Sequence, residues 1–248
     1  MSRPLRSEAG PRPGLPPSLR QDGVREMAPA PALLHGIPVH ATDLDGAAEL
    51  ILSWARNSES RTVCVANVHV FMTAYDDPAY RSVLLASDLV VPDGMPLVWA
   101  LRLNGHTCGR VAGADLTMRL LAAAEREGLP VFFYGSTDHV LRLLADKLEV
   151  TFPQLRVAGA IAPPFRPLTP EEDQVFVERM NASGARLVFV GLGCPKQERW
   201  MAEHRGKVRA VMLGVGAAFD FLAGVKRRAP AWMQRLGLEW LWRLACEP

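Results

Sequence analysis

Two glycine-containing loops near the end of the chain hold the densest group of residues that could do chemistry. VGLGCPKQERW (190–200) and LGVGAAFDFLAGVKRRAP (213–230) each join an apolar stretch to glycines and then to one polar side chain, Gln197 or Asp220. Glycine lets a backbone approach a ligand closely, and a following helix N-terminus supplies free N–H groups for a phosphate. Taken singly, each loop is better explained as a tight turn.

Both loops also half-match the dinucleotide fingerprint GxGxxG. GLGCPK (191–196) and GVGAAF (214–219) lack the third glycine, and neither belongs to the first strand–helix–strand unit, where that fingerprint occurs. A nicotinamide enzyme is therefore disfavoured. Gly135 and Ser136 form a third glycine-led turn before a predicted helix, which makes them candidate substrate-binding residues. Three such turns together favour a phosphate-bearing ligand.

Asp93 is the candidate catalytic residue. It follows a β-branched stretch and stands between Pro92 and Gly94. A carboxylate at the floor of a pocket can act as a general base that takes a proton from an attacking hydroxyl, and an ordinary turn aspartate is the equal alternative. Asn67 ends the preceding predicted strand, where its amide could recognise a sugar or cap the strand end. His69 could line the same pocket.

No residue pattern indicates a metal or an organic cofactor. The DxD sequence Asp43-Leu44-Asp45 begins a predicted helix, where acidic residues stabilise the N-terminus. No cluster of histidine, aspartate and glutamate has metal-ligand spacing, so we expect catalysis without an obligatory metal. The four cysteines include no CxxC pair, and we expect reduced thiols. Cys194 lies in a glycine loop, but no histidine near it in sequence could activate it as a nucleophile.

The C-terminal tail combines basic and aromatic side chains. Residues 226–248 hold five lysines and arginines against two glutamates, and three of the six tryptophans, Trp232, Trp240 and Trp242. These side chains could pack on the core, lie as a surface helix on anionic lipid, or bind a diphosphate through arginine. Composition alone leaves the three interpretations open.

Strands and helices must alternate along the chain to position these residues. Apolar runs such as TVCVANV (62–68), PVFFYGS (130–136) and RLVFVG (186–191) predict strands. Amphipathic segments between them predict helices, one capped by Thr169. The pattern predicts a Rossmann-like α/β fold, with a mostly parallel sheet, helices on both faces and a short helical tail. Because such sheets bind ligands beyond the carboxyl ends of their strands, the candidate positions are Asn67, Asp93, Gly135, Gln197 and Asp220.

The composition divides the chain into three segments. Residues 1–31 contain seven of the 20 prolines, which predicts a disordered arm, with Met27 as an alternative start. Residues 32–225 form the predicted catalytic domain, and residues 226–248 a helical C-terminal appendage. No apolar run is long enough to cross a bilayer or resembles a signal peptide, so we expect a cytoplasmic protein.

Seven segments of the chain form a recognisable set. They are VANVHVFM (65–72), VVPDGMPLVW (90–99), GRVAGADL (109–116), VFFYGS (131–136), VGLGCPKQERW (190–200), VGAAFDFLAGVKRRAP (215–230) and GLEWLWRLACEP (237–248). Together they resemble the WecG/TagA/CpsF family of glycosyltransferases, follow in family order and cover nearly everything from about residue 35 onward. The resemblance implies a metal-independent inverting enzyme at the inner face of the cytoplasmic membrane. It implies transfer of N-acetylmannosamine or a related sugar from a UDP-sugar to a polyprenyl-diphosphate-linked acceptor, and no nucleic-acid partner.

The resemblance also implies roles for single residues. Asp93 matches the proposed catalytic base, Asn67 the asparagine of the first pocket strand, and Arg110 the arginine after the base. Gln197 matches the polar residue of the PKQE motif (195–198), and Asp220 that of the FD motif (219–220). Arg243 matches the first of the tail arginines that are expected to reach the diphosphate.

Two departures from the family pattern leave alternatives open. Many members have threonine where this chain has Val65, so a pocket hydroxyl is missing and the donor could be of the UDP-glucose type. Members usually continue past the EP dipeptide with more arginines, whereas this sequence stops at Pro248. The shortened appendage makes an inactive nucleotide-binding relative the second alternative.

Overall fold

The described part of the chain, in a computed structural model, comprises residues 28–235, 237–239 and 241–242. Eight strands and ten helices lie in these ranges. The strands are β1 (Ala32–Leu34), β2 (Ile37–Val39), β3 (Arg61–Ala66), β4 (Leu89–Pro92), β5 (Val131–Gly135), β6 (Val157–Ile161), β7 (Leu187–Gly191) and β8 (Val211–Gly214). The helices are α1 (Leu44–Arg56), α2 (Val68–Asp76), α3 (Pro78–Leu85), α4 (Met95–Leu103), α5 (Gly113–Glu127), α6 (Asp138–Thr151), α7 (Pro170–Ala182), α8 (Lys196–His204), α9 (Ala218–Leu222) and α10 (Ala231–Arg235).

Six strands form one parallel sheet in the order β4-β3-β8-β7-β5-β6. The strands β1 and β2 pair antiparallel in a separate ribbon. The central strands are apolar and buried along almost their whole length, as a sheet covered by helices on both faces requires. The predicted α/β fold with a parallel sheet is confirmed.

Alternate residues of each strand face two different hydrophobic layers. Phe133 and Phe189 face α1, α5, α6 and α9, and their rings stack with centroids 5.5 Å apart. Tyr134 and Val190, one position further along, face α2, α3, α4, α7 and α8. Successive side chains of a strand point to opposite faces, so the continuous apolar runs fill both layers at once.

Helix N-termini differ in whether a side chain caps them. Asp43 accepts a hydrogen bond from the Gly46 N–H at 2.9 Å, so the DxD sequence is the helix cap that we predicted. Thr169 caps α7 in a capping box with Glu172, also as predicted. The N-cap residues of α4, α5, α8 and α9 make no side-chain cap hydrogen bond. At the start of α5, the Gly113 N–H donates instead to the side chain of Asp93.

The end of β3 differs from the sequence prediction. The apolar run predicted a strand up to residue 68, but β3 ends at Ala66 and α2 begins at Val68. The side chain of Asn67 accepts a hydrogen bond from the Val70 N–H at 3.0 Å. This cap starts α2 directly after β3. The continuous apolar run in the sequence does not show where the strand ends and the helix begins.

Gly135 should be intolerant of a side chain, because β5 and β7 approach closely where they end. Its φ is +124°, and a Cβ would lie 2.5 Å from the carbonyl group of Gly191. We expect Gly135→Ala to lower the free energy of unfolding by about 3 kcal/mol or more, since backbone strain and steric overlap add. Gly128→Ala is the control, because it also has a positive φ (+65°) but open space around it; about 1 kcal/mol is expected. Urea unfolding measures both, and equal losses would contradict the packing argument.

Candidate active site

A cleft opens at the carboxyl edge of the parallel sheet. The neighbouring strands β3 and β8 are followed by α2 and α9, which lie on opposite faces of the sheet. This divergence leaves a crevice of the kind in which α/β sheets bind ligands. The chemically relevant residues that line it are Asn67, His69, Asp93, Arg110, Gly113, Gly193, Cys194, Gln197, Gly216, Arg228 and Glu239.

Asp93 and Arg110 form an ion pair in this cleft. The backbone N–H of Asp93 donates to the Ala66 carbonyl at 2.8 Å, which fixes Asp93 where β4 ends beside β3. Arg110 approaches Asp93 Oδ1 through Nε at 3.4 Å and Nη2 at 3.3 Å. The same Nη2 also donates to Glu239. Glu239 belongs to the C-terminal segment, by which we mean the described residues 226–235, 237–239 and 241–242. One guanidinium therefore lies between two carboxylates.

The environment of Asp93 raises the pKa of its carboxyl group above the ordinary value. Burial is the largest cause, and the negative charge of Glu239 adds to it. The positive charge of Arg110 and a hydrogen bond from the Gly113 N–H act in the opposite direction. A carboxylate with a raised pKa is a stronger proton acceptor, so this position suits a general base.

Arg228 supplies a second guanidinium to the cleft. It donates to both carboxylate oxygens of Asp115, at 2.6 and 3.1 Å, and to Gln234 at 3.1 Å. The hydrogen bonds to Asp115 raise the pKa of Arg228 further. Each guanidinium of the cleft is thus already paired within the protein, Arg228 with Asp115 and Arg110 with Asp93 and Glu239. An anionic ligand would have to share or displace these partners.

The side chain of Gln197 links the two glycine loops by hydrogen bonds. Its Oε1 accepts hydrogen bonds from the Gly193 N–H at 3.2 Å and from the Gly216 N–H at 3.1 Å. These loop N–H groups therefore already have a partner within the protein and are not free donors for a phosphate. The loops therefore shape the cleft, and its two guanidinium groups, those of Arg110 and Arg228, come from other parts of the chain.

Glu198 orients the Gln197 amide. Its Oε1 accepts a hydrogen bond from Gln197 Nε2 at 2.7 Å, which turns Gln197 Oε1 toward the two loops. The Glu198 side chain is 1% exposed, and its Oε2 is buried without a hydrogen-bond partner. Burial raises the pKa of Glu198, and the hydrogen bond from Gln197 partly offsets this.

Cys194 has the properties of a packed thiol. Its Sγ lies 3.4 Å from the Tyr80 hydroxyl, and burial raises the pKa of the thiol. Because the thiolate is the reactive form of cysteine, a raised pKa argues against a nucleophile. That Cys194 is no nucleophile stays a prediction.

The structure brings some of the predicted site residues together and places others elsewhere. Asn67, Asp93, Arg110 and Gln197 line one cleft, and so does His69. Ser136 lines a separate cavity with Lys196 and Trp200. Gly135 packs against the backbone of Gly191, and Asp220 lies in α9 next to Phe221, a residue of the cleft. Arg243 lies outside the described residues.

Three cleft residues were absent from the sequence prediction. Gly113, Arg228 and Glu239 come from α5 and from the C-terminal segment. Arg228 begins the sequence RAP (228–230), and Glu239 lies in the sequence GLEW (237–240). Both sequences belong to the segments that resemble the family, and this membership is the sequence signal that could have identified the two residues.

An apolar groove continues from the cleft toward α4. It shares Asn67, Asp93 and Glu239 with the cleft and adds Val68 and Met95 on its sides. A polar site that opens into an apolar groove can hold a ligand with both kinds of surface.

The described residues form neither a metal-binding cluster nor a membrane-spanning helix. Within residues 28–235, 237–239 and 241–242, no group of three or more histidine, cysteine, aspartate or glutamate side chains is placed to hold a metal ion. In the same ranges, no helix has the length and apolarity needed to cross a membrane.

Residues 32–248 match the family model described as "Glycosyl transferase WecG/TagA/CpsF family". The match extends over the parallel sheet, the cleft and the C-terminal segment. All the candidate site residues lie within it.

Exchange of residues 197 and 198 should reveal their pairing. Gln197→Glu places two carboxyl groups side by side, and we expect a loss of about 3 kcal/mol in the free energy of unfolding at neutral pH. The loss should grow as the pH rises above the ordinary glutamate pKa, because the raised pKa in the folded state disfavours ionisation. In Gln197→Glu with Glu198→Gln, the new amide can donate to the new carboxylate, so most of the stability should return. Urea unfolding at pH 5 and pH 8 measures this, and a double variant no more stable than Gln197→Glu would refute the pairing.

Proposed function

The chain belongs to the WecG/TagA/CpsF family of glycosyl transferases, and on this premise we propose that it is an inverting enzyme of cell-surface polysaccharide synthesis. It transfers N-acetylmannosamine or a related sugar from a UDP-sugar to a polyprenyl-diphosphate-linked acceptor. The single observation that carries the proposal is the desolvated Asp93 carboxylate, which lies in a cleft with two guanidinium groups and the N-terminus of α5.

In the proposed reaction Asp93 accepts the proton of the acceptor hydroxyl. The acceptor oxygen forms a bond to the anomeric carbon of the donor while the bond from that carbon to the UDP oxygen breaks. UDP leaves with the electron pair, from the face opposite the attack, so the configuration inverts. The raised pKa of Asp93 supports the role of base, because proton transfer is most effective when the pKa of the base lies nearer the working pH.

The leaving diphosphate requires positive charge as its own negative charge develops. Arg228 and Arg110 line the cleft, and α5 and α8 begin at this edge of the sheet without side-chain caps. Fixed guanidinium and N–H groups in a desolvated site stabilise such charge without reorganisation. Arg243 would add a further cation in this proposal, but it lies outside the described residues.

The sugar of the donor would lie near Asn67. The Oδ1 of Asn67 caps α2, which leaves its Nδ2 group to donate to a sugar hydroxyl. Val65 lines the same cleft and supplies no hydroxyl there. This position supports the alternative donor of the UDP-glucose type within the same family.

Exposed apolar side chains support an acceptor on a membrane surface. Val68 and Met72 are spaced by one helical turn on α2, and Trp99 and Leu103 are spaced in the same way on α4. Trp232 of the C-terminal segment is also exposed. Side chains of this kind bind at the surface of a bilayer, so we propose a cytoplasmic enzyme that associates peripherally with the membrane.

A transfer assay tests the function directly. The protein is incubated with radiolabelled UDP-N-acetylmannosamine or UDP-glucose and a polyprenyl-diphosphate-linked sugar in vesicles, and labelled lipid is extracted. We expect label in the lipid from UDP-N-acetylmannosamine. Transfer from UDP-glucose alone would favour the alternative donor. UDP binding without any transfer would favour an inactive nucleotide-binding relative.

Removal of the base should separate catalysis from binding. We expect Asp93→Asn to lower kcat by about 10²- to 10⁴-fold, while UDP still binds in isothermal titration calorimetry, because an amide cannot accept the proton. The control is Asp76→Asn, an exposed acid at the last residue of α2, which should keep its rate. An unchanged kcat in Asp93→Asn would show that Asp93 is not the catalytic base.

A further inference from the structure

We propose that Glu239 is a positioning residue that holds Arg110 partly away from Asp93 and thereby links the basicity of Asp93 to the seating of the C-terminal segment. The inference rests on the proposed role of Asp93 as the base. It adds a residue that touches neither reacting atom and acts through Arg110.

Arg110 is shared between two carboxylates. Its contacts to Asp93 Oδ1, at 3.3 and 3.4 Å, are longer than a charge-assisted hydrogen bond normally is. Its Nη2 also donates to Glu239 Oε2. Both carboxylates are mostly buried, with side-chain exposures of 21% for Asp93 and 17% for Glu239. Because the same Nη2 contacts Glu239, Arg110 does not approach Asp93 at normal hydrogen-bond distance.

Removal of the charge on Glu239 would change this balance in one direction. Arg110 would then be free to move closer to Asp93 and to place its two N–H groups on the two carboxylate oxygens, the arrangement that best stabilises a carboxylate. The loss of a neighbouring negative charge acts in the same sense. Both effects lower the pKa of Asp93 and make it a weaker base, and the tighter ion pair would also compete with the acceptor hydroxyl.

The other groups that face Asp93 do not replace Glu239. Arg228 approaches from the C-terminal segment and is itself paired with Asp115 of α5. The Gly113 N–H donates to Asp93 from the start of α5, and His69 lines the cleft from α2. Among the charged groups that the structure describes in the cleft, Glu239 is the carboxylate that opposes Arg110.

The position of Glu239 depends on how the C-terminal segment is seated. Gly237 has φ +70°, and a Cβ at this position would lie 2.8 Å from the Met95 Cβ of α4. The Leu238 N–H donates to the Met233 carbonyl at 2.8 Å. Arg228 anchors the start of the segment on Asp115 at 2.6 Å. A segment that could not approach α4 would carry Glu239 away from Arg110.

Titration of Asp93 tests the inference without any substrate. Protein labelled with ¹³C at aspartate carboxyl groups is titrated by NMR, and Asp93→Asn assigns the resonance. We expect the Asp93 midpoint to move to lower pH in Glu239→Gln, which keeps the size of the side chain, and to stay in place in the exposed control Glu49→Gln. A midpoint that is unchanged or higher in Glu239→Gln would overturn the proposal.

A second variant tests the link to seating. Gly237→Val should prevent the close approach to Met95, and we expect the Asp93 midpoint to move to lower pH as in Glu239→Gln. If the midpoint stays at the wild-type value although Glu239→Gln lowers it, the link between seating and basicity is wrong.

The pH dependence of transfer distinguishes this inference from the proposed function. With an active enzyme, the acid limb of kcat/KM should move to lower pH in Glu239→Gln, because a base with a lower pKa stays deprotonated in more acidic solution. If the Asp93 midpoint moves but the acid limb does not, Asp93 is not the base; the electrostatic coupling then stands and the proposed catalytic role of Asp93 fails. If neither moves, the coupling itself is refuted. Absence of transfer from any donor would instead refute the proposed function and leave the coupling intact.

Discussion

All six strands of the large sheet run in the same direction, and this constraint brings the cleft residues that follow strands to one edge of the sheet. Parallel strands place all their carboxyl ends at one edge, so Asn67 after β3, Asp93 after β4 and Gly193 after β7 meet there although they are far apart in the chain. The chain leaves β3 and β8 toward opposite faces, which opens the crevice between them. The hydrophobic layers on both faces hold the strands in register, so the positions of these side chains follow from the packing of the core.

The walls of the cleft are held by hydrogen bonds made by buried side chains. Gln197 accepts from the N–H groups of two glycine loops, and Glu198 fixes the orientation of its amide. A side chain that satisfies loop N–H groups makes a loop rigid but removes donors that a ligand could otherwise use. The loops therefore define the shape of the cleft, and its guanidinium groups, those of Arg110 and Arg228, come from other parts of the chain.

Charge in the cleft is balanced over a short distance. Asp93 is desolvated, and one neighbour, Arg110, stabilises its charge while a second neighbour, Glu239, destabilises it. A carboxylate paired with arginine alone would be a weak base, and an unpaired buried carboxylate would be protonated. Because Asp93 shares its guanidinium partner with Glu239, the basicity of its carboxylate lies between these limits. Because Glu239 belongs to the C-terminal segment, the part of the chain farthest from Asp93 in sequence bears directly on its chemistry.

The sequence by itself determined the fold class and half of the site. Alternating apolar and amphipathic segments predicted the parallel sheet, because burial on both faces leaves continuous apolar strands. Strand ends predicted Asn67 and Asp93, because parallel topology fixes the edge at which such residues meet. Only the tertiary structure decided that Ser136 lines another cavity, that Gln197 binds the loops, and that Arg228 and Glu239 lie beside Asp93. The last of these facts depends on contacts across more than a hundred residues, between Arg110 and Glu239 and between Asp115 and Arg228. Sequence periodicity describes which face of an element is buried, but it carries no information about which distant side chain lies opposite.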